Sequence, residues 1–128
     1  MISPLAALTL ASKSIGVPLQ LLVAICTVES GLHATVINQY DGDSPSYGLC
    51  QVKHNTAKQV GFKGNVNRLL KADVNASVAA KYLKHQLIRY KGNWKKAISA
   101  YNRGTAHPSN RKYVNRVLTQ VREVQYGF

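Results

Sequence analysis

A mainly α fold in one domain is what this sequence predicts, with at most a very small β element after the second helix. Three observations carry that reading. Apolar side chains recur at helical spacing in several separate stretches. Glycine and proline punctuate the chain at helix-length intervals, as at Pro4, Gly16, Pro18, Gly31, Gly61 and Gly92. The chain has 128 residues, 45% of them apolar, which suits one globular core, so residues 1–128 are taken as a single domain.

Ser3 is placed to cap a first helix with Pro4 in its first turn, and Gly16 ends it. Pro18 opens a second helix. Its Leu19, Leu22, Val23, Ile25 and Cys26 are apolar nearly all round, the mark of a buried helix. Residues 33–47 read as a loop dense in turn formers (Asp41-Gly42-Asp43-Ser44-Pro45-Ser46). Alternating acids around a glycine invite a calcium reading. The closing glutamate of a calcium loop is absent, so an ordinary ordered loop without metal is expected. Residues 47–52 suit a short strand or extended segment.

A short helix should run from Asn55 or Thr56 to Val60, and a further turn is expected over 65–71. Asp73 is read as the cap of the longest helix, 74–90, and Asn93 as the start of the next, 94–102. After a loop, Ser109 is read as the cap of a last helix whose apolar stripe is Tyr113, Val117, Leu118, Val121 and Val124.

Seventeen basic and five acidic side chains give a net charge of +12. The first fifty residues hold only Lys13, so the charge is a field over part of the surface and not a basic tail. It implies an anionic partner such as a cell envelope surface or acidic polymer. No helix-turn-helix, basic region or aromatic-basic signature is present, so nucleic acid is not expected. The N-terminus resembles neither a signal peptide nor an anchor, because no base precedes the first apolar run and Lys13 and Pro18 interrupt it. His33, His54, His85 and His107 show no ligand spacing, and two cysteines are too few for a disulfide scaffold. Neither a metal nor another cofactor is expected.

The chemistry concentrates at Glu29. It ends the buried helix, one turn after Ile25 and Cys26, so helix geometry turns it inward or into a cleft. Desolvation there raises a carboxyl pKa, and a glutamate protonated near neutral pH is a general acid. The bland alternative is a solvated residue on a last helical turn.

Glu29-Ser30, Gly48-Leu49-Cys50-Gln51, Ala100-Tyr101-Asn102-Arg103-Gly104 and Tyr113-Val114 follow one another at compatible spacing. This set resembles the soluble lytic transglycosylases, relatives of goose-type lysozyme, and the resemblance runs from about Leu19 to Leu118. It implies a lysozyme-like fold with a groove over Glu29. It also implies cleavage of the β-1,4 bond between N-acetylmuramic acid and N-acetylglucosamine in peptidoglycan, closing a 1,6-anhydro ring. By the same resemblance Glu29 is the single acid and base. Ser30 shapes the loop, Gln51 lines the groove, Tyr101 faces the glutamate, Asn102 is structural or touches substrate, and Tyr113 walls the groove or packs. Asn38 is a looser match near the N-acetyl group.

The small size and the N-terminus look most like a bacteriophage form. That would be a monomer made in the cytoplasm and acting on the periplasmic wall, carried by a virion or released by a permeabilising partner. Cys50 departs from the methionine common in the family. If both motifs line one groove, Cys26 and Cys50 come close, and either a disulfide or two free thiols is open.

Two other readings stay in view. A muramidase would use water with a second carboxylate, and Asp41 and Asp43 are the candidates. A basic wall-binding module, or lysis by charge alone, would not need Glu29.

Overall fold

The computed structural model describes residues 2–126, with side chains to residue 123. Six α-helices and a three-stranded sheet of two-residue strands follow in the order α1 (Pro4–Ile15), α2 (Leu19–Ser30), β1 (Ile37–Asn38), β2 (Ser46–Tyr47), β3 (Val52–Lys53), α3 (His54–Gln59), α4 (Ala72–Arg89), α5 (Trp94–Arg103) and α6 (Arg111–Tyr126). Short 3-10 turns at Val66–Leu70 and Pro108–Asn110 precede α4 and α6. This is the mainly α architecture expected.

The capping chemistry works where the side chain can reach. Ser3 accepts from the Ala6 N–H at 3.2 Å and Asn93 from the Lys96 N–H at 3.0 Å. Two expected caps differ. The longest helix begins at Ala72 after Lys71, which puts Asp73 inside the first turn, where the helix dipole favours an acid. Ser109 lies in the 3-10 turn before α6, and there His107 Nδ1 accepts from the Ser109 N–H at 3.1 Å. The expected loop over 33–47 contains β1, because Ile37 and Asn38 pair antiparallel with Tyr47 and Ser46. The stretch at 47–52, expected as extended, is mostly a turn: residues 48–51 turn the chain between β2 and β3, whose Ser46 and Tyr47 pair with Lys53 and Val52. Of the stripe on α6, Val117 is fully buried and Tyr113, Leu118 and Val121 pack partly against the core, while the Val124 side chain lies outside the described residues.

α2 is buried over six consecutive residues, Leu21 to Cys26. It packs on α6 and on α1, while α4 packs on α1 and α5. Leu8, Leu21, Leu22, Ile25, Leu83, Ile98 and Val117 form the centre of the core. Among the described residues, no helix is long and apolar enough to cross a membrane.

One polar side chain ties the small sheet to this core. Asn75, fully buried on α4, accepts the Cys50 N–H at 2.8 Å and donates to the carbonyls of Tyr47 and Leu69, both at 2.8 Å. Buried backbone groups left without partners are costly, so one amide satisfies three turns at once. Gly48 must lie against that amide at φ +77°, and any Cβ there would collide with Asn75 Nδ2 and the Leu69 carbonyl.

Asn75→Ala leaves one buried N–H and two carbonyls unpaired, and should lower unfolding free energy by about 2–4 kcal/mol. Urea denaturation followed by circular dichroism reads this directly. A loss below about 1 kcal/mol would contradict the bracing role.

Candidate active site

The last turn of α2 carries Glu29 to a groove of about 160 Å3, which Asp41, Gln51, Thr56, Tyr101 and Asn102 also line. Burial dominates the carboxyl and raises its pKa from 4.5 to about 7. The Tyr113 hydroxyl donates to Glu29 Oε2 at 2.6 Å and pulls the pKa down. The Asp41 charge pushes it up, and Arg116 and Asn102 pull it down more weakly. Desolvation wins although the chain carries a net charge of +12. Burial, and then the nearby Glu29 charge, hold the Tyr113 phenol well above its ordinary value, so it stays a donor. The arrangement supplies a half-buried acid near neutrality, held by one short hydrogen bond.

Tyr101 is buried against the same groove. Its hydroxyl donates to the Cys50 carbonyl at 3.0 Å, and its ring packs 5.3 Å from that of Tyr82. It senses the Glu29 charge but spends its hydroxyl on the backbone, so the hydroxyl on the glutamate is that of Tyr113. Ser30 donates to the Leu49 carbonyl at 2.6 Å and accepts the His33 N–H at 3.1 Å, fastening the end of α2 to the chain that precedes Gln51.

Gln51 adopts φ +51°, an unusual conformation for a residue with a side chain. Its Oε1 accepts from Ser46 Oγ at 2.8 Å, and its Nε2 donates to the carbonyls of Gly48 at 2.9 Å and Val36 at 3.1 Å. Both ends of the amide therefore brace the turn beneath the groove. Asn102 lines the groove and accepts from Asn110 Nδ2 at 3.3 Å. Asn38 is exposed on β1, accepts the Tyr40 N–H at 3.2 Å, and does not line the groove.

Cys26 and Cys50 form a disulfide, and both are fully buried. It joins α2, one turn before Glu29, to the residue before Gln51. The two acids in the loop separate: Asp41 lines the groove, whereas Asp43 is exposed and pairs with Lys53 at 3.2 Å. The Lys53 hydrogen bond holds the Asp43 carboxyl below its ordinary value.

Lys53, Thr56, Tyr82 and Arg103 line the groove as well, and sequence reasoning did not single them out. Arg103 was legible as a neighbour of Tyr101 and Asn102, and Lys53 as a neighbour of Gln51. Tyr82 gave only the signal of a core residue on α4.

Known proteins resemble this chain in sequence and in fold. The family model described as "Transglycosylase SLT domain" matches residues 7–120. Protein IpgF of Shigella flexneri is 32% identical over 104 residues, which cover 80% of this chain and 67% of that protein; IpgF of Shigella sonnei matches over the same shares. Among solved structures, an inactive mutant of lytic transglycosylase Slt from Pseudomonas aeruginosa superposes with a TM-score of 0.79 at 23% identity, covering 91% of this chain and 23% of that one. The 70-kDa soluble lytic transglycosylase in complex with bulgecin A superposes with a TM-score of 0.83 at 19% identity, over 94% and 24%. The chain thus spans two thirds of its curated relatives and about a quarter of these solved chains. It belongs to the transglycosylase SLT domain family and has the lysozyme-like fold of the lytic transglycosylases.

Proposed function

We propose that this chain cleaves the β-1,4 bond between N-acetylmuramic acid and N-acetylglucosamine in peptidoglycan, with Glu29 as both acid and base. The observation that carries this reading is the Glu29 carboxyl, half-buried in the groove and poised at about 7. Protonated, it gives its proton to the glycosidic oxygen as the bond from that oxygen to C1 breaks. The carboxylate left behind takes the proton of the C6 hydroxyl, whose oxygen bonds to C1 and closes the 1,6-anhydro ring. No water is consumed, and Glu29 ends protonated, ready for another cycle. The Tyr113 hydroxyl, 2.6 Å away, steadies the carboxylate stage. This reading places the working chain at the periplasmic wall, where its positive field suits an anionic envelope.

A second reading, hydrolysis by water, is favoured by one observation: Asp41 lines the same groove and its charge acts on Glu29. Two carboxyl groups on one groove are the usual apparatus of a hydrolase.

Mass spectrometry of products from purified peptidoglycan separates the two. Ends in 1,6-anhydro-muramic acid are expected, lighter than hydrolysed ends by one water, and Asp41→Asn should leave them unchanged. Reducing ends that vanish with Asp41→Asn would establish hydrolysis instead. Glu29→Gln should lose cleavage by about 10³-fold with binding retained. Activity surviving that change would assign the chain to wall binding or charge-driven lysis.

The rate should also follow the acid form. The kcat/KM is expected to be flat below about pH 7 and to fall about tenfold per pH unit above it, as Glu29 ionises. The same shift governs stability. Because the folded pKa of about 7 lies above the ordinary value of 4.5 that the carboxyl has in the unfolded chain, the protonated form is favoured by folding; its contribution is complete below 4.5 and is lost as pH rises through 7. Glu29→Gln should therefore gain on the wild type with rising pH over that window, by on the order of 3 kcal/mol. Denaturation midpoints across pH check this, and a constant difference would overturn it.

A further inference from the structure

A second hollow, of about 460 Å3, lies between α5 and α6. Lys95 and Lys96 reach it from the start of α5, Arg111 from the start of α6, and His107 from the loop between them. Ala106 and Val114 give it apolar surface, and none of its lining residues is acidic. Among the described residues the one ion pair is Lys53 with Asp43, so none of these cations is neutralised there. Gathering like charges around a concave surface costs Coulomb energy, and cations are the disfavoured sign at helix starts. A fold tends to break its local electrostatic preferences where a site requires it.

The walls are firmly built. Ser99 Oγ accepts the His107 N–H at 3.0 Å, Asn110 Nδ2 donates to the Ser99 carbonyl at 3.2 Å, and the Ala106 N–H donates to the Tyr90 hydroxyl at 2.9 Å. The hollow also adjoins the Glu29 groove. Groove-lining Arg103 donates to Ser109 Oγ at 2.9 Å, and Asn110 donates to groove-lining Asn102. One short loop separates the two.

We propose that this hollow is an accessory site for the peptide branch of peptidoglycan, engaged while the glycan occupies the groove. The proposal rests on the peptidoglycan reading above. The chemistry matches on both counts: such branches carry free carboxylates for lysine and arginine, and alanine methyl groups for the Ala106 and Val114 surface. Proximity favours a branch of the bound polymer over a separate anion, because both sites then hold one molecule and the second contact is intramolecular.

The test compares Lys95→Gln/Lys96→Gln/Arg111→Gln with a charge-matched control elsewhere, Lys58→Gln/Lys63→Gln/Lys81→Gln. On peptide-bearing peptidoglycan the first variant should lose about tenfold in kcat/KM, chiefly through KM, and the control less than about twofold. On glycan strands stripped of peptide by an amidase, the first variant should equal the wild type. Equal losses on both substrates, or no loss on either, would overturn the accessory site. In parallel, the wild type is titrated with the soluble tripeptide L-alanyl-γ-D-glutamyl-diaminopimelate and followed by the amide NMR signals of Lys95, Lys96, His107 and Arg111. Saturable shifts support the site. If the wild type cleaves neither polymer, the proposed function falls, and this titration alone decides the hollow. Response to anionic phospholipid vesicles without response to the tripeptide would assign the cations to a membrane surface and overturn the proposal.

Discussion

Everything near Glu29 depends on how one residue, Cys50, is held. Its N–H is taken by Asn75 on α4, its carbonyl by Tyr101 on α5, and its sulfur by Cys26 on α2. Three helices that are distant in sequence therefore meet on a single buried residue. A two-residue strand cannot fix its own position, because so short a ladder offers too few hydrogen bonds against the entropy of ordering it. The anchoring at Cys50 supplies what the sheet lacks. Gln51, next in the chain, can then sit at φ +51° with its amide wholly engaged, since strained backbone persists only where its surroundings over-determine it.

The same packing sets the electrostatics of the groove. A net charge of +12 would by itself favour an ionised carboxylate. The basic side chains stand mostly at the surface, where water screens them, while Glu29 lies against the buried end of α2. Desolvation therefore prevails and the carboxyl rises to about 7. Tyr113 tempers that rise without reversing it. Charge at distance and burial at contact thus do separate work: the first sets the field around the chain, the second the protonation of one acid.

Much of this was legible in order along the chain. Ser3, Asn93 and the glycines at 16, 31 and 92 marked helix boundaries because capping and left-handed backbone are local matters. The buried character of α2 followed from its apolar run. The misplaced caps, Asp73 and Ser109, were shifts of a few residues, since several polar residues near a helix start compete for one position. Strand β1 was hidden because Ile37 and Asn38 are exposed and carry no alternation; only pairing with Ser46 and Tyr47 makes them a strand.

By itself the sequence determined the helical class, the burial of α2, the inward direction of Glu29 and the motif order that marks the family, because each rests on local periodicity or on neighbours in the chain. Tertiary structure alone decided which hydroxyl meets Glu29, whether the two cysteines join, and which loop acid lines the groove. The family resemblance put Tyr101 at the glutamate and left Tyr113 to wall the groove or pack, and the structure gives Glu29 the Tyr113 hydroxyl instead; Asp41 and Asp43 read alike as loop acids. What separates each pair is the direction of a side chain across contacts as long as the 84 residues between Glu29 and Tyr113, and no local rule carries that far.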